Sequence, residues 1–458
     1  MQFTTTCSFL ENELLDIARL FKDRAENIDH AFSFENGVFY NAFTIDGDKF
    51  SFEDRGQVLN ELEFKRLERR FAKLHLYEIL SEKYAQKMPW GALTGIRPTK
   101  LAYTEKEKGN DFIGLFKTMQ VSDDNIQIVK DILSAQEGIY ERTDSNIALF
   151  ISLPFCPTKC AYCSFITAPI EKTRHFLPDY LRCLTKELSA CEEISGIIRS
   201  IYIGGGTPFA LEVDNLREVL EAVKPFKDKF PNAEYTVEAG RPDTFTEEKL
   251  ALLQAYGVNR ICINPQTFQG EVLQNIGRKH TVEDFYKAYE MSEKYGFLVN
   301  IDLIAGLEGE SVESFAQGVE KAIATGADNI TVHCLSLKSG AKLKEETAYL
   351  EKDGISKMIE VSRRLLKGAG YEPYYLYRQK YQAGNNENVG WTKKGKACVY
   401  NIDVMEETTS NIAVGANAVS KRVWTKENRI ERLGSPKDLK TYIENIQKII
   451  AEKLEFFK

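Results

Sequence analysis

Six times between residues 147 and 369 a short β-rich run gives way to a stretch with helical apolar spacing. The pairs are 147–153 with 178–194, 200–204 with 213–229, 234–238 with 246–256, 259–263 with 282–295, 298–304 with 311–325, and 329–335 with 355–369. Strands separated by helices cannot pair as hairpins, so each connection must cross over and the strands run parallel. The products of that logic are a doubly wound sheet or a barrel, complete or partial. In either, ligands collect at the carboxyl ends of the strands, and the chemistry-bearing residues of this chain fall there.

The flanks read differently. Residues 1–145 form a separate α+β module, and 371–458 a short C-terminal extension to a core spanning 146–370. His30 to Asp54 alternates apolar and polar residues around Asn36-Gly37 and Asp46-Gly47, the signature of a small antiparallel meander. Glu61 to Tyr84 has the spacing of a charged amphipathic helix, and Val121 to Tyr140 that of another. Between them, Pro89 to Lys100 packs two glycines, prolines and two cations into one loop, which suits either a rigid charge-presenting element or a linker. From Ser435 the tail reads as one lysine-rich amphipathic helix.

Directly after the first strand stands Cys156-Pro157-Thr158-Lys159-Cys160-Ala161-Tyr162-Cys163. Thiolates at this spacing on a loop leaving a strand can share one iron–sulfur cluster, and three of them leave one iron of a cubane open. Zinc is the rival reading, but a structural zinc site wants four protein ligands, and no second Cys-x-x-Cys pair follows. Cys183, Cys191, Cys262 and Cys334 read as buried apolar cysteines. Nine cysteines in an unsecreted chain of 458 residues imply reduced thiols and a cytoplasmic setting. No apolar run is long enough for a membrane span, and Glu11, Glu13 and Asp16 interrupt any signal-peptide order. A net charge of −7 argues against a nucleic-acid partner.

The later strand ends carry polar residues in apolar surroundings. Gly204-Gly205-Gly206-Thr207-Pro208 removes the side chains that keep a backbone away from a ligand, although a plain tight turn would use the same residues. It lacks the Gly-Lys-Ser/Thr of a phosphate cradle. Glu238, at the end of the third run, needs a cation or donors, and a salt bridge to Arg241 is the alternative to a ligand. Gln266 follows the fourth strand, Arg278 comes twelve residues later, and Asp302 lies in the fifth, a carboxylate suited to ribose hydroxyls.

Taken together, Cys156, Cys160, Cys163, the Gly-Gly-Gly-Thr-Pro turn, Glu238, Gln266, Arg278 and Asp302 resemble the oxygen-independent coproporphyrinogen III oxidase family of radical S-adenosylmethionine (SAM) proteins. Leu93-Thr94-Gly95-Ile96-Arg97-Pro98-Thr99-Lys100, Val237-Glu238-Ala239-Gly240-Arg241-Pro242-Asp243 and Tyr375-Leu376-Tyr377-Arg378-Gln379-Lys380 resemble its coproporphyrinogen dehydrogenase branch, HemZ. The resemblance implies a partial (β/α)6 barrel, one 4Fe-4S cluster on the three cysteines, and one or two SAM molecules. It places Phe150 and Tyr162 beside cluster or SAM, puts Gly205, Gly206, Thr207 and Glu238 on SAM, and gives Gln266, Arg278, Asp302 and Ser336 to a second SAM. Two departures stand out: Ser164 replaces a fourth nearby cysteine, and position 150 is Phe where the family has Tyr.

The activity so implied is oxidative decarboxylation of coproporphyrinogen III to protoporphyrinogen IX in heme biosynthesis. An electron donor such as flavodoxin or ferredoxin would reduce the cluster, SAM would be cleaved, and hydrogen would leave a propionate side chain. The tetrapyrrole's carboxylates need cations, for which Arg97, Lys100, Arg378 and Lys380 are the candidates. A heme-binding chaperone and a radical SAM enzyme acting on another tetrapyrrole, such as heme, use the same cluster residues. Nothing in the sequence calls for more than a monomer.

Overall fold

A computed structural model of the chain describes residues 1–22, 24–58, 60–95, 97–163, 168–336, 352–379 and 386–458. Ser164 and Lys380, singled out above, lie outside the described residues. The chain divides into two compact units, one formed mainly by residues 1–130 and the other by the rest.

The first unit is built on a four-stranded sheet. Strand β1 (Gln2–Thr5) runs parallel to β2 (Asn27–Glu35), and β2, β3 (Val38–Ile45) and β4 (Asp48–Arg55) form the antiparallel meander that the turn signals predicted. Asn36-Gly37 and Asp46-Gly47 all have positive φ, the backbone that a two-residue hairpin requires. The helix Glu61–Lys83 starts at Asn60, whose side chain accepts from the Glu63 N–H. β1 escaped prediction because four residues are too few to show a period.

The second unit carries the six crossovers. Strands β5 (Asn146–Leu153), β6 (Phe155–Cys156) and β7 (Ala168–Pro169) come first, the last two forming a small ribbon of their own. Then come β8 (Ile197–Gly205), β9 (Glu234–Gly240), β10 (Arg260–Ile263), β11 (Leu298–Ala305) and β12 (Asn329–Cys334). β5 and β8 to β12 lie side by side in chain order, all parallel, which is the partial (β/α)6 arrangement. Their residues are almost all buried, as expected for strands covered on both faces. The helix Val213–Lys229 occupies the stretch expected of it, and Thr281 and Ser311 close capping boxes on the next two long helices.

The sheet does not stop at six. β13 (Glu372–Tyr377) and β14 (Asn388–Thr392) extend it antiparallel beyond β12, and β15 (Ser410–Val414) joins β5 in parallel on the other side. β16 (Val419–Trp424) and β17 (Arg429–Gly434) follow as an antiparallel edge, giving eleven strands. The tail forms two helices, Leu439–Glu444 and Ile446–Phe457, where one was expected. Its Lys453 is 2% exposed and ion-paired with fully buried Glu187, so this lysine belongs to the core. Among the described residues no helix is long and apolar enough to cross a membrane.

Candidate functional site

Backbone hydrogen bonds tie the cysteine loop to its neighbours. Gly206 N–H donates to Leu153 O at 2.8 Å and Thr207 N–H to Phe155 O at 2.7 Å, tying the glycine turn after β8 to the loop leaving β5. A Cβ on Gly206 would sit 2.4 Å from the Phe155 carbonyl oxygen, so the close approach requires glycine. From the far side, Ala161 N–H donates to Ile276 O at 3.0 Å. The three cysteines are free thiols, Cys156 buried and Cys160 and Cys163 half-buried. Burial pushes the Cys156 thiol up to about 11, against the pull of Thr207, whose hydroxyl lies 3.5 Å from the sulfur.

Cys156, Cys160 and Cys163 open onto a cavity of about 380 Å³, within the usual range for a small-molecule site. Tyr162, Gly205, Gly206, Thr207, Glu238, Gln266, Arg278, Asp302 and Ser336 line the same cavity, gathered from the ends of β8 to β12 and the cysteine loop. Phe150 stands behind the lining, its ring parallel to those of Tyr202 and Tyr400 at 6.2 Å from each. Arg378 is buried and also outside the lining; burial lowers its guanidinium to about 10, with Glu387 opposing. Arg97 and Lys100 belong to the first unit, at the start of the helix Pro98–Glu107.

Glu238 does not take the salt bridge to Arg241. That guanidinium is held by Asp243 through two contacts at 3.0 and 2.7 Å and by Thr158. Glu238 instead accepts from the Tyr202 hydroxyl at 2.5 Å and, loosely, from Gly205 N–H at 3.4 Å. Gly204 makes this possible, since a Cβ there would lie 2.7 Å from the carboxylate. Withdrawal from bulk water pushes Glu238 up to about 7, with nearby Asp302 adding to the rise. Gln266 adopts φ +69°, and its N–H and C=O are both bonded to β11, at Asp302 O and Ile304 N. Arg278 donates to Asn264 O at 2.5 Å and to the Tyr162 hydroxyl at 3.2 Å.

Several lining residues drew no site assignment from the sequence. Tyr375 and Tyr377, two apart on β13 and so on one face of it, line the cavity, and Gln379 lines it too. His333, inside an apolar run, and Tyr202, inside another, gave no signal of their own.

The lining fits a polar cofactor. Thr236 Oγ1, Asn264 Oδ1, Arg278 Nε and Ser336 Oγ are buried without a hydrogen-bond partner, and all four residues face this space. Among the described residues no three His, Cys, Asp or Glu side chains converge on one metal-ion position. A cubane needs no such convergence, since each thiolate binds a different iron.

A parallel barrel with a cysteine triplet after its first strand and a glycine turn after its second defines a radical SAM protein, and the model of the Radical SAM superfamily matches residues 150–322. The chain is 36% identical over 414 residues to the oxygen-independent coproporphyrinogen-III oxidase-like protein HemZ of Bacillus subtilis, covering 86% of this chain and 82% of the relative. It belongs to the oxygen-independent coproporphyrinogen III oxidase family of radical SAM proteins, to which HemZ also belongs. The heme chaperone HemW of Buchnera aphidicola is 29% identical over 251 residues, 53% of this chain and 65% of that protein. The solved structure of coproporphyrinogen III oxidase HemN from Escherichia coli superposes with a TM-score of 0.53 at 20% identity, covering 69% of this chain and 72% of that one. Family membership implies a 4Fe-4S cluster and SAM.

Proposed function

We propose that the cavity carries out the oxygen-independent oxidative decarboxylation of coproporphyrinogen III to protoporphyrinogen IX. One observation carries the reading: Gln266, Arg278 and Asp302 line one cavity with the cysteine triplet, polar groups that a stoichiometric heme binder would not need beside its cluster residues. When bound, the cluster supplies an electron and SAM a cleavable sulfonium, which together start hydrogen abstraction from an unactivated carbon.

The chain's own residues supply placement. Cys156, Cys160 and Cys163 would each give one thiolate to the cluster, leaving one iron for the amino and carboxylate groups of SAM. Ionised Glu238, held in place by Tyr202, would accept from that amino group. Asp302 would accept from ribose hydroxyls, and Arg278 and Gln266 complete the polar wall. The strands that wall the cavity are themselves almost wholly buried, which limits the sides from which water can approach.

The test is anaerobic. Cluster-reconstituted protein, reductant and SAM are given coproporphyrinogen III or heme in separate reactions, and product masses are read. Protoporphyrinogen IX from the first supports the reading. Stoichiometric heme binding without any product would establish a chaperone instead, and a product from heme alone would establish another tetrapyrrole reaction.

A further inference from the structure

His333 has no task in the reading above, yet it is built into the cavity wall by three neighbouring elements. It sits on β12, where its residue pairs with Ile304 and Thr331 pairs with Asp302. Its Nδ1 lies 3.1 Å from the Tyr377 hydroxyl on β13. Its Nε2 lies 3.6 Å from Asp302 Oδ1 on β11, longer than a formed hydrogen bond but within ion-pair range. All three side chains line the cavity. With its proton on Nε2, the imidazole accepts from Tyr377 and points its N–H at the carboxylate.

Tyr377 is itself fixed. Its ring is parallel within 3° to that of Tyr375, which crosses the bare backbone of Gly390 to bring its hydroxyl within 3.3 Å of Thr331. Asn300 Nδ2 donates to the same Asp302 oxygen at 2.8 Å.

We propose that His333 is a positioning residue: anchored by Tyr377 on one ring nitrogen, it fixes Asp302 so that this carboxylate presents an acceptor edge to the hydroxyls of a nucleoside cofactor. The inference rests on reading the cavity as a SAM site. Its physical need is plain, because Glu238 on β9, Cys262 on β10 and Tyr375 and Tyr377 on β13 all surround Asp302 with groups that disfavour its charge when they ionise. Burial disfavours that charge too, yet His333, Asn300 and Thr331 together hold Asp302 below its usual range while Glu238 is pushed up. Two carboxyls in one cavity are thereby given different proton affinities. An ionised carboxylate is acceptor-only, which suits a ribose diol.

The experiment uses cluster-reconstituted full-length protein and measures SAM dissociation constants by anaerobic equilibrium dialysis, alongside iron content. His333→Ala and Tyr377→Phe should weaken SAM binding, His333→Ala by about tenfold or more, with iron content unchanged. His333→Gln, whose amide can still donate to Asp302, should restore most of the affinity. In an Asp302→Asn background, His333→Ala should have no further effect, since a positioning residue acts only through the group it positions. Equal weakening in both backgrounds, or no weakening in the native one, overturns the proposal. Loss of coproporphyrinogen conversion with this pattern intact would sink the function and leave the positioning role standing.

Discussion

Tyr202 holds one oxygen of Glu238 at 2.5 Å, and the surrounding strands keep that carboxyl near neutrality at about 7. A cationic ligand group prefers the ionised form, so SAM affinity should rise with pH through about 7 and fall by about tenfold per pH unit below it. Glu238→Gln should bind SAM more weakly above neutrality and flatten this profile; a pH series of dissociation constants on both proteins checks it. For stability the sign is opposite. The folded carboxyl keeps its proton more tightly than the ordinary value of 4.5 allows, so its contribution is present below that value and lost as pH rises towards about 7. Glu310, at about 7, and Asp403, at about 6, are raised by burial in the same sense. The cofactor-free protein should therefore lose denaturation midpoint between about pH 5 and about pH 7, and Glu238→Gln should lessen the loss.

At the scale of elements, the final helix is tied to the barrel by buried charge. Lys453 Nζ meets Glu187 Oε1 at 2.5 Å, while the other Glu187 oxygen accepts from the Tyr442 hydroxyl at 2.6 Å and from Gly415 N–H at 2.9 Å. Lys453→Met would leave that carboxylate buried without its cation and should cost about 3–5 kcal/mol in chemical denaturation. The paired change Glu187→Leu with Lys453→Met should recover part of this. The sequence showed the crossover units well because long periodic helices and fully apolar strands are strong signals. It hid β13 to β17, since five- and six-residue strands carry little pattern and their places depend on partners far along the chain. The Tyr375–Lys380 string drew attention to its cations, whereas pairing with β14 places Tyr375 and Tyr377 on the cavity wall. Gly390→Ala should expose that dependence: its Cβ would fall 1.9 Å from the Tyr375 ring. Overpacking of this kind costs about 1–3 kcal/mol, and the displaced ring should weaken SAM binding without iron loss.

For the molecule as a whole, backbone hydrogen bonds join the cluster loop to the glycine turn and to Ile276. Replacing Cys156, Cys160 and Cys163 together with Ala should abolish iron binding yet leave a cooperative unfolding transition, because Gly206–Leu153, Thr207–Phe155 and Ala161–Ile276 hydrogen bonds need no thiolate. Loss of secondary structure by circular dichroism in that variant would show instead that the metal organises the fold.

The neighbour of β5 on its outer side is β15, and Ser152, just ahead of the cysteines, donates to the carbonyl of Ala416, 264 residues further along. During synthesis the strand that aims the thiols therefore waits, bare along one edge, until β15 has left the ribosome. An exposed edge strand invites pairing with other chains. Iron is then best delivered once β15 has emerged, and nascent chains stalled before residue 410 should aggregate sooner than they acquire metal.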